Sequence, residues 1–301
     1  MKIEYASGII SAKLETEVRE LVFDVDFCID SAKTLALIGE TGAGKTLVAC
    51  SIMRLLPSNV VQNGGKLALF GESNLKDTDV KKMLGKRIVY IPQSGHECLN
   101  SSMRVKGQIY DALKLNGYKR ADFHDIAVKI LADVGFDNPD DILQKYPFEL
   151  SGGMAQRVVI AIATCSRAEL VIADEPTNGV DKEHKIALVK LINDLFPDAA
   201  RLFITHDISL ARLCDDILVL SGGRVLERGN SKSVLDNPRH PYTRALISSL
   251  AKNGLNEIPV LREQKGNCPF YSRCSIASAD CLKGIKLNKI EDKEWRCNAE
   301  N

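Results

Sequence analysis

A glycine-rich stretch that ends in lysine and threonine, GETGAGKT at residues 39–46, has the residue types and spacing to hold a chain of phosphates. It lies between apolar runs at 34–38 and 47–56, which predicts a loop that joins a buried strand to a helix. Glycines let the backbone N–H groups of such a loop turn toward an anion, and the start of the helix adds partial positive charge. Lysine can reach the terminal phosphates and threonine can offer a hydroxyl to Mg²⁺. The predicted phosphate loop consists of Gly39, Glu40, Thr41, Gly42, Ala43, Gly44, Lys45 and Thr46.

Two further segments bear polar groups that suit the same chemistry. Asp174 and Glu175 directly follow the apolar run 170–173, which predicts a buried strand with both carboxylates at its end. The segment LSGGMAQR at 150–157 lies between the phosphate loop and this pair. Its serine and two glycines open a predicted helix at 154–165, and the unpaired N–H groups at that helix start form a second anion site.

The three segments together resemble the ATP-binding cassette (ABC) ATPases. Many nucleotide enzymes carry a phosphate loop and an acidic strand, but a serine and two glycines opening a helix shortly before that strand is the pattern of this family. The resemblance implies an enzyme that hydrolyses ATP with Mg²⁺. It implies that Asp174 holds the metal through water, together with Thr46, and that Glu175 polarises the attacking water.

Two more polar residues follow predicted strands and match the family's site. Gln93, after the strand predicted at 87–91, would complete the metal shell and sense the γ-phosphate. His206, after the strand predicted at 201–205, matches the switch histidine that contacts the same phosphate. A lone histidine is more often a packing residue, but the run LFITHD after a strand favours the functional interpretation.

The resemblance also implies that the site is completed by a second cassette. In this family the signature segment of one cassette covers the nucleotide that the other holds, so two ATP molecules lie between two cassettes facing head to tail. The residues implied to meet the partner's ATP are Ser151, Gly152, Gly153 and Gln156, and Asp181, in EPTNGVD, matches the loop that crosses between cassettes. The partner is a second ABC ATPase subunit, either identical or related.

The elements that position these groups predict an α/β fold, a phosphate-loop cassette with a mixed, largely parallel core sheet. Period-two stretches at 21–29 and 66–70 predict an antiparallel β subdomain, and strands alternate with helices from residue 34 onward. Helices are predicted at 105–116, 123–134 and 140–145, inside an inserted helical signature subdomain at about 94–157. The predicted ATPase domain is 1–236, and a Cys-rich C-terminal extension occupies 237–301.

The extension carries a second resemblance. The run NPRHPYTRALISSL at 237–250 predicts an amphipathic helix from Tyr242, and with a following group of cysteines it is similar to the peptide and nickel uptake branch of the family. Four of the nine cysteines lie in the last 34 positions, without the CxxC pairs typical of zinc sites. An iron–sulfur cluster, zinc, and unmetallated or redox-paired thiols all remain open, and some resembling peptide-transport ATPases carry a four-iron cluster. The four predicted ligands are Cys268, Cys274, Cys281 and Cys297.

Composition sets outer limits on the function. The 301 residues are 45% hydrophobic, enough for a full core, and 40 basic against 39 acidic side chains leave no field that favours nucleic acid. No apolar stretch approaches the roughly 20 residues of a spanning helix, and the amino terminus lacks the pattern of an export signal. We therefore expect a peripheral protein on the cytoplasmic face of the membrane. Its implied partners are two transmembrane permease subunits and, indirectly, an extracytoplasmic solute-binding protein.

The function predicted on these grounds is the ATP-hydrolysing subunit of an importer of di- and oligopeptides. A nickel or metal-chelate importer is the alternative within the branch, and a soluble ABC ATPase or a cassette without turnover is the alternative outside it. Two features depart from the family. No aromatic residue stands at 7–19 to stack on adenine, with Tyr5 too early, and the run SGHECLNS after Gln93 replaces a usual Asp-Pro pair.

Overall fold

The computed structural model describes residues 2–13, 17–73, 75–176, 182–249 and 268–298. Over these residues the chain alternates between short strands and helices. The strands are β1 Lys2–Ala6, β2 Ile9–Lys13, β3 Val18–Phe23, β4 Asp26–Asp30, β5 Thr34–Ile38, β6 Val60–Asn63, β7 Lys66–Leu69, β8 Ile88–Ile91, β9 Leu170–Asp174, β10 Ala200–Thr205, β11 Asp216–Ser221, β12 Arg224–Asn230, β13 Leu287–Ile290 and β14 Lys293–Arg296.

The helices are short, and none in the described part of the chain is both long enough and apolar enough to cross a membrane. They are α1 Lys45–Ile52, α2 Asp77–Met83, α3 Gly95–Cys98, α4 Val105–Leu115, α5 Phe123–Asp133, α6 Pro139–Gln144, α7 Gly152–Thr164, α8 Lys182–Leu195, α9 Ile208–Ala211, α10 Ser231–Asp236, α11 Pro241–Ser248 and α12 Asp280–Lys283. Single 3₁₀ turns occur at Arg120–Asp122, Pro147–Glu149 and Tyr271–Arg273.

The chain divides into two compact units. The helical unit comprises Asp30–Ala32 and Leu75–Leu202, and the sheet unit comprises Lys2–Ile29, Lys33–Asn74 and Phe203–Asn301. The sheet unit contains two three-stranded sheets, in the orders β4-β1-β7 and β3-β2-β6. The pairs β1 with β7, β2 with β3 and β2 with β6 are antiparallel, and the stretches predicted at 21–29 and 66–70 lie in these sheets. It also contains five strands of a mixed sheet in the order β13-β14-β12-β11-β5, where β5 runs parallel to β11 and β12 runs antiparallel to it.

Strand β5 forms the core of the sheet unit because its sequence TLALI is buried at all five positions. Such a continuous apolar run is typical of a strand covered on both faces. The helical unit is built around the parallel pair β8 and β9, and β9 is likewise buried along its whole length. Helices α3 to α7 of this unit form the predicted helical insertion, and each of the three helices predicted between residues 105 and 145 is present.

The strand predicted at 21–29 is wrong as a single element. It is interrupted between β3 and β4, where Asp24 has a φ of 46° and turns the chain. The helix predicted at 47–56 ends early for the same reason, because Arg54 has a φ of 57° just beyond α1. Left-handed backbone in a non-glycine residue breaks either periodic structure, and apolar pattern alone does not reveal it.

Candidate functional site

The phosphate loop leaves the buried end of β5 and enters α1, as predicted, and its glycines occupy positions that no other residue fits. Gly44 caps α1 with a φ of 99°, and Gly42 has a φ of 82°. A Cβ on Gly39 would lie 2.1 Å from the carbonyl oxygen of Leu220, and one on Gly44 would lie 2.9 Å from a methyl group of Val22. Glycine is therefore required both for the left-handed turn and for close packing of the loop.

Lys45 is the first residue of α1, and its ammonium group lies inside the loop. It donates hydrogen bonds to the carbonyl oxygens of Gly39 and Glu40, at 2.8 and 3.0 Å, and the residue is only 8% exposed. Gly223, in the turn between β11 and β12, donates a backbone hydrogen bond of 3.1 Å to the carbonyl of Ala43. The loop thus folds around the lysine, and the β11–β12 turn fixes it from the other side. A rigid loop of this shape suits the binding of phosphates.

His206 lies in the same unit, immediately after β10 as predicted. It is exposed at the surface and stands between two residues that form a tight turn. The hydroxyl of Thr205 accepts the N–H of Asp207 at 2.9 Å, and the carboxylate of Asp207 accepts the N–H of Ser209 at the start of α9. These bonds fix the backbone on both sides of the imidazole.

In the helical unit, Asp174 and Glu175 occupy the end of β9. Asp174 is the last residue of the strand and is 5% exposed, and the hydroxyl of Tyr90 donates to its Oδ2 at 3.1 Å. Glu175 has a φ of 47°, a left-handed backbone that costs about 1–2 kcal/mol in a non-glycine residue. Such strain is retained where the surrounding structure imposes a functional orientation. Tyr90 was not predicted as a site residue, although it lies in the strand predicted at 87–91.

Gln93 lies in an exposed turn after β8 that is fastened to the signature helix α7. The side chain of Gln156, on α7, donates to the carbonyl of Pro92 at 3.1 Å. A Cβ on Gly95 would come within 2.6 Å of the backbone of Ala155 and Gln156, so only glycine permits this approach. Gln93 lies between these two contacts, and any displacement of α7 will therefore move it.

The signature helix begins two residues earlier than predicted. Ser151 is its N-cap and accepts the N–H of Met154 at 3.3 Å, while Gly152 and Gly153 form the first turn. All three residues are exposed, and a Cβ on either glycine would meet no atom within 4 Å. The free N–H groups of a 13-residue helix are therefore presented to the exterior. Asp181 lies outside the described residues, and its assignment stays a prediction.

The four C-terminal cysteines converge in the sheet unit. They line one pocket of about 10 Å³ together with His240. Burial, together with a smaller effect from the negative charge of the other three thiolates, raises the pKa of Cys268 to about 11. Within the described residues, however, no group of three or more His, Cys, Asp or Glu side chains is arranged to hold a metal ion. The structure thus brings the four thiols together without the spacing of a single-ion site.

His240 was not predicted to lie at this pocket. Its Nδ1 accepts the N–H of Tyr242 at 3.0 Å and caps α11, so the proton of the neutral ring is on Nε2. The residue is 1% exposed, and burial lowers its pKa to about 3. The imidazole is therefore neutral at physiological pH.

Two residues of the C-terminal extension contact the phosphate loop, and neither contact was predicted from the sequence. The backbone N–H of Glu40 donates to the hydroxyl of Tyr242 at 3.0 Å, and the guanidinium of Arg273 forms an ion pair with the Glu40 carboxylate. More than 200 positions separate these partners, so no local pattern could indicate them.

Tyr5, the aromatic residue nearest to the expected adenine position, is part of the core. It is 3% exposed, its hydroxyl donates to Ser51 at 3.0 Å, and its ring centroid lies 5.2 Å from that of Phe27. The ring is thus enclosed by protein and does not present a free face to a base.

Comparison with known families gives two matches along the chain. Residues 22–178 match the family described as "ABC transporter", and residues 226–281 match "Oligopeptide/dipeptide transporter, C-terminal region". The first match contains the phosphate loop, the signature segment and the acidic strand. The second contains α11 and three of the four C-terminal cysteines.

Individual proteins are similar over most of their length. The probable D,D-dipeptide transport ATP-binding protein of Escherichia coli K12 is 32% identical over 91% of this chain and 88% of its own. The oligopeptide transport ATP-binding protein of the same organism is 34% identical over 89% and 84%. A dimeric post-hydrolysis state of an ATP-binding cassette bound to ADP and Pi has the same fold, with a TM-score of 0.67, 20% identity, and coverage of 76% of this chain and 98% of that one.

Proposed function

This chain belongs to the ABC transporter family, and on that premise we propose that it is the ATP-hydrolysing subunit of an importer of di- and oligopeptides. Membership confirms the resemblance inferred from the three sequence segments, and with it ATP binding and ATP hydrolysis. The observation that carries the peptide substrate is the C-terminal match at 226–281, because the matching family is described as the C-terminal region of oligopeptide and dipeptide transporters. Nickel uptake and a soluble ATPase role find no support among the relatives.

We propose the following roles for individual residues in ATP binding and hydrolysis. The phosphate loop binds the phosphates with its N–H groups and Lys45, and Thr46, Gln93 and Asp174 hold Mg²⁺. Glu175 polarises the attacking water, since its strained backbone fixes the carboxylate at the end of β9. The turn around His206 holds that side chain for contact with the γ-phosphate.

The exposed start of α7 supports a role for a partner cassette. Ser151, Gly152 and Gly153 present free N–H groups to the exterior, which suits an anion supplied from another molecule. We propose that they, with Gln156, cover the ATP of a second ABC ATPase subunit, and that Asp181 crosses between the two cassettes. Two permease subunits at the membrane and an extracytoplasmic solute-binding protein would complete the importer, with this chain on the cytoplasmic face.

The dimer proposal has a direct test. Glu175→Gln should bind ATP without hydrolysing it and should accumulate as an ATP-bound dimer, which size-exclusion chromatography with multi-angle light scattering detects. The experiment is run with this chain alone and with its paired cassette. Glu169→Gln is the matched control, since Glu169 lies at the opposite end of β9 and forms an ion pair with Arg87. A Glu175→Gln variant that hydrolyses ATP normally, or stays monomeric with ATP in both preparations, contradicts the proposal.

We also propose that the four C-terminal cysteines hold an iron–sulfur cluster. Four soft thiolates at one buried pocket are the donor set of such a cluster. A single zinc ion would need each sulfur about 2.3 Å from one point, and the thiols do not have that spacing. The cluster would require the pocket to widen. Anaerobically purified protein should be brown and contain iron and sulfide in stoichiometric amounts, and a colourless protein with zinc or free thiols would refute the assignment.

A further inference from the structure

Arg273 links the C-terminal cysteine segment to the phosphate loop. It is the last residue of the 3₁₀ turn Tyr271–Arg273 and directly precedes Cys274. Its two terminal nitrogens donate to Oε1 and Oε2 of Glu40 at 2.8 and 3.0 Å, a bidentate ion pair. The Arg273 side chain is 3% exposed and that of Glu40 is 26% exposed. This pair is therefore largely withdrawn from solvent, unlike an ordinary surface ion pair.

Aromatic residues hold the guanidinium in this orientation. Its central carbon lies 5.1 Å from the ring centroid of Phe270 and 5.9 Å from that of Tyr242. Tyr242 is fully buried and also accepts the backbone N–H of Glu40. Burial raises the pKa of its hydroxyl to about 12, so the hydroxyl stays protonated and is also hydrogen-bonded to Ser221. Tyr242 and Arg273 both belong to the C-terminal extension, which is called the C-terminal segment below. This segment thus holds both the backbone and the side chain of Glu40.

Glu40 is a poor residue for a phosphate site unless its charge is neutralised. Its carboxylate belongs to a loop whose proposed ligand carries several negative charges, and an unpaired carboxylate there would repel the phosphates. Its carbonyl oxygen is also one of the two acceptors that fix the ammonium of Lys45. Displacement of Glu40 would therefore both add repulsion and change the position of the lysine.

We propose that Arg273 and Tyr242 are positioning residues for nucleotide binding, and that they act through Glu40. The C-terminal segment completes the phosphate loop by neutralising the Glu40 carboxylate and fixing its backbone. This inference rests on the proposed role of residues 39–46 in binding ATP. It assigns the C-terminal segment a function in ATP binding that does not depend on what the four cysteines hold.

The test is a set of ATP titrations by isothermal calorimetry on the full-length chain. Arg273→Met should weaken ATP binding roughly 5- to 20-fold, because it leaves the Glu40 carboxylate unneutralised in the loop proposed to bind the phosphates. Arg273→Lys should recover less than half of this loss on a logarithmic scale, because lysine keeps the charge but cannot form the bidentate pair. Tyr242→Phe should weaken binding by about two- to fivefold through loss of the acceptor for the Glu40 N–H.

A double-mutant cycle separates positioning from simple charge. In a Glu40→Gln background, the effect of Arg273→Met should fall to less than half on a logarithmic scale, because no carboxylate remains to be released. Equal losses in both backgrounds, or full recovery by Arg273→Lys, would show that Arg273 acts only as a distant charge and would overturn the inference.

Arg228→Met is the matched control. Arg228 pairs with Asp26 and with Glu294 of β14, so it also anchors the C-terminal segment but does not touch the loop. It should lower the urea midpoint of unfolding and leave ATP affinity unchanged. If Lys45→Ala abolishes ATP binding while the Arg273 variants bind normally, the inference fails and the phosphate loop stands. If Lys45→Ala binds ATP normally, both the inference and the proposed site fail.

Discussion

The contact of Gly95 with the signature helix leads to a sharp prediction for Gly95→Ala. The added Cβ would lie 2.6 Å from the carbonyl carbon of Ala155 and from the backbone nitrogen of Gln156, whereas carbon atoms pack at about 3.5–4.0 Å. Helices α3 and α7 would have to separate by about 1 Å. Both neighbouring atoms belong to a helix backbone, so neither can rotate away. Overpacking of this kind costs about 1–3 kcal/mol of unfolding free energy.

The same displacement should impair function. The hydrogen bond from Gln156 to Pro92 is 3.1 Å long and would be stretched, so Gln93 would lose one of the two contacts that hold its turn. We expect a lower urea midpoint and a several-fold lower ATPase rate at saturating ATP.

Gly107→Ala provides the control, because this substitution should raise the free energy of unfolding where Gly95→Ala lowers it. Gly107 lies inside α4, and a Cβ there would meet only the mobile end of Met103 at 3.1 Å. Replacing glycine by alanine within a helix should stabilise the protein by about 0.5–1 kcal/mol. If Gly95→Ala matched the wild type in both stability and ATPase rate while Gly107→Ala behaved as expected, the proposed rigid contact between α3 and α7 would be refuted.

Three further predictions follow from single side chains. Tyr90→Phe removes the donor to Asp174 and should raise the Mg²⁺ concentration needed for half-maximal ATPase activity by up to about tenfold; an unchanged Mg²⁺ dependence contradicts that role. Burial lowers the pKa of His240 from 6.5 to about 3, so the unfolded chain binds a proton at this residue between these pH values and the folded protein does not. The free energy of unfolding should therefore be unaffected by His240 above pH 6.5 and should fall by about 1.4 kcal/mol for each pH unit below it, down to about pH 3. His240→Asn, which retains an N-cap acceptor for α11, should remove that slope between pH 6.5 and 5 in urea unfolding, and an unchanged slope would place the titrating group elsewhere. Burial raises the pKa of Cys165 to about 12, so iodoacetamide at pH 8 should modify the exposed Cys28 and leave Cys165 unmodified in native protein, as mass spectrometry can determine.

Local sequence patterns predicted those parts of the site in which the functional residues lie directly beside a strand or a helix start that the sequence also indicates. The phosphate loop follows the buried strand β5 and the two carboxylates lie at the end of the buried strand β9, both as predicted. A capping serine and two glycines open α7, two residues earlier than predicted. The gathering of the four C-terminal cysteines also followed from composition and spacing. These features depend on neighbours close in sequence, and periodicity and residue type therefore report them.

Contacts between distant segments were not predictable in the same way. Tyr242 and Arg273 meet Glu40 only because α11 and the cysteine segment pack beside the phosphate loop, and nothing in the residues around Glu40 indicates this. Strands β13 and β14 have only four residues each, and their sequences LNKI and KEWR are too short and too polar to show the apolar alternation that identifies a strand. Their pairing is a consequence of tertiary packing.

That pairing bears on how the chain can be shortened. Strand β14 is hydrogen-bonded to β12, with Glu227 opposite Trp295 and Arg228 opposite Glu294, and β13 is hydrogen-bonded to β14. A version truncated after residue 267 would lose both strands and uncover the edge of β12 that pairs with β14, while the pairing of β12 with β11 would remain. Uncovered strand edges invite pairing with other chains. Such a truncation should therefore yield an aggregating protein, and the cysteine segment is better probed by point substitution than by deletion.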